Sequence, residues 1–183
     1  MLPFSLFADA LPYDEFLARH GSPGDKARWD RTRAAVSLTA GQKQLLGKFR
    51  REANILVLAG AWCGDCAGQC PILDRFAEVA PVLKVRYLDR DEFPDAQKEL
   101  QINGGNRVPV AVFFSEDGHE VARFGERTLT AYRRMAGESA GEVCGSGVAG
   151  AELVGVTQDW LDQVERVQWI LRLSPRLRRL HGD

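Results

Sequence analysis

Cys63 and Cys66 stand in the run Trp62-Cys63-Gly64-Asp65-Cys66, with two residues between them. That spacing serves two chemistries. On a helix it brings both sulfurs to one face, close enough to form a disulfide. It also suits a metal site. In thiol–disulfide exchange the nucleophile is the thiolate, and a free thiol, with a pKa of about 8.5, is mostly protonated at neutral pH. A helix N-terminus favours the anion through its unpaired N–H groups and its dipole. Cys63 is therefore expected at an exposed helix start, attacking a substrate disulfide. Cys66, one turn deeper, is expected to resolve the mixed disulfide. Cys70 lies on the same face, as a small buried hydrophobe or a third redox centre. Cys144 stands far off in sequence, as a free thiol or a remote redox partner. A rival metal reading would gather Cys63, Cys66, Cys70 and Cys144 around zinc. Cys63, Cys66 and Cys70 followed by Pro71 also match the tail of an iron–sulfur motif. Against this, Gly60 occupies the remaining ligand position, and a helix sets three cysteines in a line rather than around an ion.

The elements that must position the pair can be read from the apolar pattern. Residues 11–52 read as helical. Leu11, Phe16 and Leu17 begin one short helix, closed by Gly21-Ser22-Pro23-Gly24. Asp25 could cap a second, through Trp29 to about Val36, and Thr39 a third carrying Leu45, Leu46 and Phe49 on one face. Asn54 to Gly60 is a continuous apolar run suited to a strand buried on both faces. A helix follows from about Cys63 to Val79, then a strand at Lys84–Leu88 and a helix at Asp95–Ile102. Gly104-Gly105-Asn106 is a loop. Strands at Val110–Phe114 and His119–Phe124 flank Glu116-Asp117-Gly118, whose Asp-Gly pair favours positive backbone angles. A helix at Thr128–Ala136, a Gly/Ala/Ser-rich loop at 137–150 and a helix at Thr157–Leu173 complete the chain. That last helix sets Trp160, Leu161, Val164, Val167, Ile170 and Leu171 on one face. The order β-α-β-α-β-β-α describes a mixed α/β sheet flanked by helices.

The segment Ile55 to Glu78 resembles thioredoxin, matching its strand, active-site motif and kinked helix without a gap. Pro71 falls at the family's helix-kinking proline, where it would remove a bond to the Ala67 carbonyl. Arg107-Val108-Pro109-Val110 resembles the family's cis-proline loop, and Gly125 the glycine after the last strand. The resemblance covers residues 52–137. It implies a thioredoxin-like fold with a four-stranded sheet and extra helices at both ends. The motif and the helical extension are similar to a bacterial thioredoxin-like branch. The resemblance further implies that Pro109 packs against the cysteines in the cis form. The alternative is an ordinary trans proline opening a strand. Val108 would offer its backbone to an extended substrate segment, in the manner of strand addition. Trp62 is either an exposed contact beside the site or a packing residue at the strand end. Gly64 and Asp65 modulate the motif. Two departures stand out. Val57 occupies the position of the family's buried acid, so that proton acceptor is missing. Asp65 replaces the usual proline, and its carboxylate is expected to oppose the Cys63 thiolate.

The remaining features set bounds. The chain's 183 residues suit one thioredoxin-like domain: a helical extension at 1–51, the core at 52–137, and a loop and helix at 138–183. A net charge of -1 gives no global attraction to nucleic acid or anionic membrane. Lys26-Ala27-Arg28 reads as a solvated helix face and Arg176 to Arg179 as a frayed tail. No apolar run approaches the ~20 residues that span a bilayer. Met1 to Ala10 lacks a basic start and makes a poor signal peptide, so the expected location is the cytoplasm. His20, His119 and His181 are scattered, which argues against a Cys–His protease. No nucleotide fingerprint occurs, and no cofactor is expected. The expected partners are a protein or small-molecule disulfide and a thiol electron donor such as a reductase. The competing class is a binding or adaptor module on the same fold with little turnover.

Overall fold

A computed structural model describes residues 2–139 and 149–183. Cys144 lies outside the described residues. At the centre is β1 (Ala53–Ala59), buried along its whole length. It pairs in parallel with β2 (Leu83–Asp89) and antiparallel with β3 (Val110–Ser115). β3 in turn pairs antiparallel with β4 (Glu120–Gly125), giving a four-stranded sheet of order β2-β1-β3-β4. A strand enclosed on both edges and both faces has no polar side, which explains the unbroken run Ile55-Leu56-Val57-Leu58. At the β3–β4 turn only Gly118 takes a positive φ, +80°, and Asp117 does not. The turn is longer than a two-residue hairpin, with Ser115 accepting from Gly118 and donating to His119. A register shift between Phe113 and Phe114 absorbs the extra length.

The first helices join this core. α1 (Leu6–Asp9) leads to Leu11, which exchanges two backbone hydrogen bonds of 2.9 and 2.8 Å with Tyr87. That bridge covers the outer edge of β2. α2 (Tyr13–His20) packs on β2 and buries Phe16 and Leu17. α3 (Pro23–Ala35) starts earlier than expected, because Ser22 and not Asp25 is its cap. Ser22 Oγ accepts from the Asp25 N–H at 3.2 Å, and the Asp25 carboxylate returns to the Ser22 N–H at 3.0 Å. Pro23 needs no partner for its nitrogen at the first helical position. α4 (Ala40–Leu46) is capped by Thr39 as expected, and Phe49 is buried beyond its end.

α5 (Gly64–Val79) lies on β2 with α3 along it, and Pro71 sits inside it. α6 (Pro94–Glu99) stops short of Ile102, because Asn103 and Gly104 take positive φ values and turn the chain. α7 (Leu129–Ser139) precedes α8 (Ala149–Arg172), which begins earlier than expected and packs on β4 and α5. Trp160, Leu161, Val164, Val167 and Leu171 are buried, but Ile170 is 40% exposed. Gln168 takes the buried place instead, giving its amide N–H to the Arg51 carbonyl at 2.8 Å. The tail read as frayed is a helix, α9 (Pro175–His181), capped by Ser174 and anchored by buried Leu177. Arg176 pairs there with Asp117.

Candidate redox site

β1 delivers the chain to Gly60, whose carbonyl accepts from the Cys63 N–H at 3.0 Å. α5 begins at the next residue, so Cys63 is its N-cap. The Cys63 sulfur accepts from the Cys66 N–H at 3.5 Å. Its exposure is only 9%, against 0% for Cys66, so Cys63 sits at a rim rather than in the open. The expectation of an exposed Cys63 is corrected by what covers it: the Cys63 thiol faces the Val108 carbonyl at 3.8 Å. The Val108–Pro109 peptide is cis, and both residues are buried beside the cysteines. Gly125 is required next to this loop. A Cβ on it would lie 2.5 Å from the Pro109 carbonyl oxygen.

The electrostatics depart from the helix-start expectation. In the dithiol, Cys63 is held above the ordinary thiol value. The hydrogen bond with the Cys66 side chain is the largest cause, followed by burial and the proximity of the Cys66 sulfur. The N–H groups of Cys66 and Asp65 do pull the other way, but they are outweighed. Burial pushes Cys66 well above its ordinary value. Cys63, Cys70 and the Gly60 backbone surround its sulfur. Val57, in the family's acid position, is fully buried and apolar. Cys70 is buried, and its carbonyl accepts from the Tyr87 hydroxyl at 3.0 Å.

Asp65 is not a bare charge beside Cys63. Arg127 grips it through two bonds, Nε to Oδ1 at 3.2 Å and Nη2 to Oδ2 at 2.6 Å. Two parallel N–H···O bonds of this kind are strong and directional. Arg127 also reaches Glu126, which accepts from the Tyr132 hydroxyl at 2.7 Å. Gly64 faces open space. Trp62 is 49% exposed, with its indole N–H toward Asp91 at 3.4 Å.

Several residues around the site carry no local sequence signal. Arg28 donates to the Trp62 carbonyl at 3.0 Å, and Trp29 donates to the Ala61 carbonyl at 2.9 Å. Consecutive residues of α3 thus hold consecutive carbonyls ahead of Cys63, so Arg28 is more than a solvated face. On the other flank, the Trp160 N–H bonds Gln69 at 3.2 Å, and Gln69 donates to the Glu126 carbonyl at 2.9 Å. A tryptophan in the charged run of α3 was the one available hint that this helix is held against something. Among the described residues, no group of three or more His, Cys, Asp or Glu side chains is arranged to hold a metal ion.

A family model described as thioredoxin matches residues 10–138. The chain belongs to the thioredoxin family. The thioredoxin match begins ahead of α2, so α2, α3 and α4 fall within it, beyond the 52–137 span that the motifs alone had suggested. Among solved structures, a protein of unknown function from Pseudomonas aeruginosa aligns at a TM-score of 0.72 and 20% identity, covering 90% of this chain and 98% of that one. An HIV epitope scaffold aligns at 0.68 and 17% identity, covering 89% of this chain and 94% of that one. At such identities the likeness shows a shared fold. No helix among the described residues is long and apolar enough to cross a membrane.

Proposed function

We propose that this thioredoxin-family chain carries out thiol–disulfide exchange, reducing a disulfide in a protein substrate. The observation that supports the reading is the unequal exposure of two adjoining sulfurs: Cys63 at the rim facing the cis-proline loop, Cys66 enclosed behind it. Cys63 gives up its proton and attacks one sulfur of the substrate disulfide. A mixed disulfide forms and the other substrate sulfur leaves as a thiolate. The Cys66 proton passes to the first substrate thiolate released, and the Cys66 thiolate then attacks Cys63 Sγ and frees the second substrate sulfur as a thiolate. The substrate gains two electrons and the Cys63/Cys66 pair is left as a disulfide. A thiol donor restores the dithiol by the reverse chemistry. Trp62, Val108 and Pro109 form the substrate surface, and the setting is the cytoplasm, where thiol donors are kept reduced.

The decisive experiment follows insulin reduction with dithiothreitol as donor. Wild type is expected to turn over. Cys63→Ser is expected to be inactive, and Cys66→Ser to accumulate mixed disulfides through Cys63. Turnover that survives Cys63→Ser, or no turnover in wild type together with an empty Cys66→Ser trap, would overturn the reading.

A further inference from the structure

Arg90, just past β2, touches the chain on two sides of Cys63: the Trp62 ring before it and the loop that leads to Val108. Its guanidinium carbon lies 4.9 Å from the centre of the Trp62 ring. Nη1 donates to the Asn106 carbonyl at 3.0 Å, two residues before Val108. Nε donates to Asp91 at 3.1 Å, and the other Asp91 oxygen accepts from the Trp62 indole at 3.4 Å. The root of the side chain is fixed as well, since the Arg90 N–H donates to the Ala59 carbonyl at 2.9 Å, at the end of β1. Below the indole is Gly60, where a Cβ would come within 3.0 Å of the ring. Asn106 is itself held by Gln97 and Gln101 at 3.0 and 2.8 Å. Arg90 is only 22% exposed in its side chain, although Trp62 is half exposed.

We propose that Arg90 is a positioning residue that locks the Trp62 wall to the Asn106–Pro109 wall, and so selects extended protein disulfides over small ones. The proposal rests on the exchange activity proposed above. An extended segment must meet the Trp62 ring and the Val108 backbone together, so their spacing has to be set before it arrives. Ordering both walls in advance removes that cost from binding. Arginine suits the task because one planar group can stack on a ring while donating sideways to a carbonyl. A lysine ammonium has no flat face to stack and no separate nitrogens to hold Asp91 and the Asn106 carbonyl at fixed angles. A small disulfide needs only the Cys63 sulfur and gains nothing from the second wall.

The test compares insulin with cystine as substrates for wild type, Arg90→Ala and Arg90→Lys, with dithiothreitol as donor. Arg90→Ala is expected to raise KM for insulin about three- to tenfold with kcat unchanged, from the ordering cost of one or two side chains. Cystine reduction stays at the wild-type rate. Arg90→Lys is expected to resemble Arg90→Ala, and it serves as the variant to read if the alanine protein fails to fold. Acrylamide quenching that is lost in a Trp62→Phe background is expected to increase in both variants. An unchanged insulin KM, or an equal loss on insulin and cystine, would overturn the role of Arg90. Wild type inactive on both substrates would overturn the exchange reading instead, and the quenching result would still decide whether Arg90 holds Trp62.

Discussion

Two fully buried tryptophans flank α5, and each uses its indole N–H in a different way. Trp29, from the helices ahead of the sheet, bonds the main chain directly at Ala61, and its neighbour Arg28 bonds the next carbonyl at Trp62. Trp160, from the helix after the sheet, bonds the side chain of Gln69, which then holds the Glu126 carbonyl. A main-chain carbonyl two residues before Cys63 cannot shift without moving the sulfur. A side-chain amide can rotate and pass on only part of a disturbance. The earlier flank is therefore a working part of the site, and the later flank a buttress behind it.

The comparison can be broken first by removing either ring. Trp29→Ala and Trp160→Ala are each expected to lose ~3–5 kcal/mol of stability, the usual cost of truncating a large buried aromatic. Urea denaturation measures this, and a loss well below that range on either side would mean the flank is not part of the core. The milder version keeps an aromatic ring in place and removes the N–H along with the smaller half of the indole. Trp29→Phe and Trp160→Phe each leave a buried acceptor without its partner, at a cost of ~1–3 kcal/mol, on top of the packing lost with the smaller ring. Their chemistry should differ. The rate of Cys63 alkylation by iodoacetamide is expected to change in Trp29→Phe and to stay near wild type in Trp160→Phe. Equal rates in the two variants would erase the distinction between working part and buttress.

The sulfurs between the flanks make a further prediction from pH. Both thiols are raised in the folded dithiol, Cys63 chiefly by the Cys66 side chain and Cys66 by burial. The folded state therefore keeps its protons to higher pH than the unfolded chain does. Stability from this source is complete below the unfolded thiol value of about 8.5 and declines as pH rises beyond it. The reduced protein is expected to lose melting temperature from about pH 8 to about pH 10 more steeply than Cys66→Ser. Parallel curves would refute it. The smallest effect concerns Asp65. Its pair with Arg127 is partly solvated, so Asp65→Asn should cost only ~0–1 kcal/mol. Arg127→Ala should do more to Cys63, because it leaves the Asp65 carboxylate uncompensated. Slower alkylation of Cys63 at neutral pH is the expected result, and an unchanged rate would show that Arg127 does not shield the site.

Local features were legible in the sequence. The strand at 54–60 and the helix bearing the cysteines are legible from apolar pattern and residue type within a short window, whereas the cis form of Pro109 was implied only by the family resemblance. The start of α3 turns on Ser22 and Asp25, where both side chains take part in the cap and sequence alone does not say which residue precedes the helix. The Ile170 and Gln168 exchange shows a different limit. Hydropathy favours isoleucine inside, but the Arg51 backbone needed an amide partner. What the sequence hid were pairings across long separations: Arg28 with Trp62, Asp65 with Arg127, Arg90 with Asn106. Charged side chains look alike along the chain, and their partners exist only once the sheet has brought distant loops together. Cys63 does stand at the helix start, but the exposure expected of it failed for the same reason, since its cover arrives from Val108, distant in sequence and adjacent in space.

Gly125 carries one last consequence. With no side chain there, β4 closes directly onto the Pro109 carbonyl. The spacing between the last strand and the proline loop is thus gauged by the thickness of bare backbone. Even a methyl group at that position would press on the Pro109 carbonyl and on Val110, so the loop or the strand would have to give way. A residue with no side chain thereby fixes how near that strand may come to the loop facing Cys63.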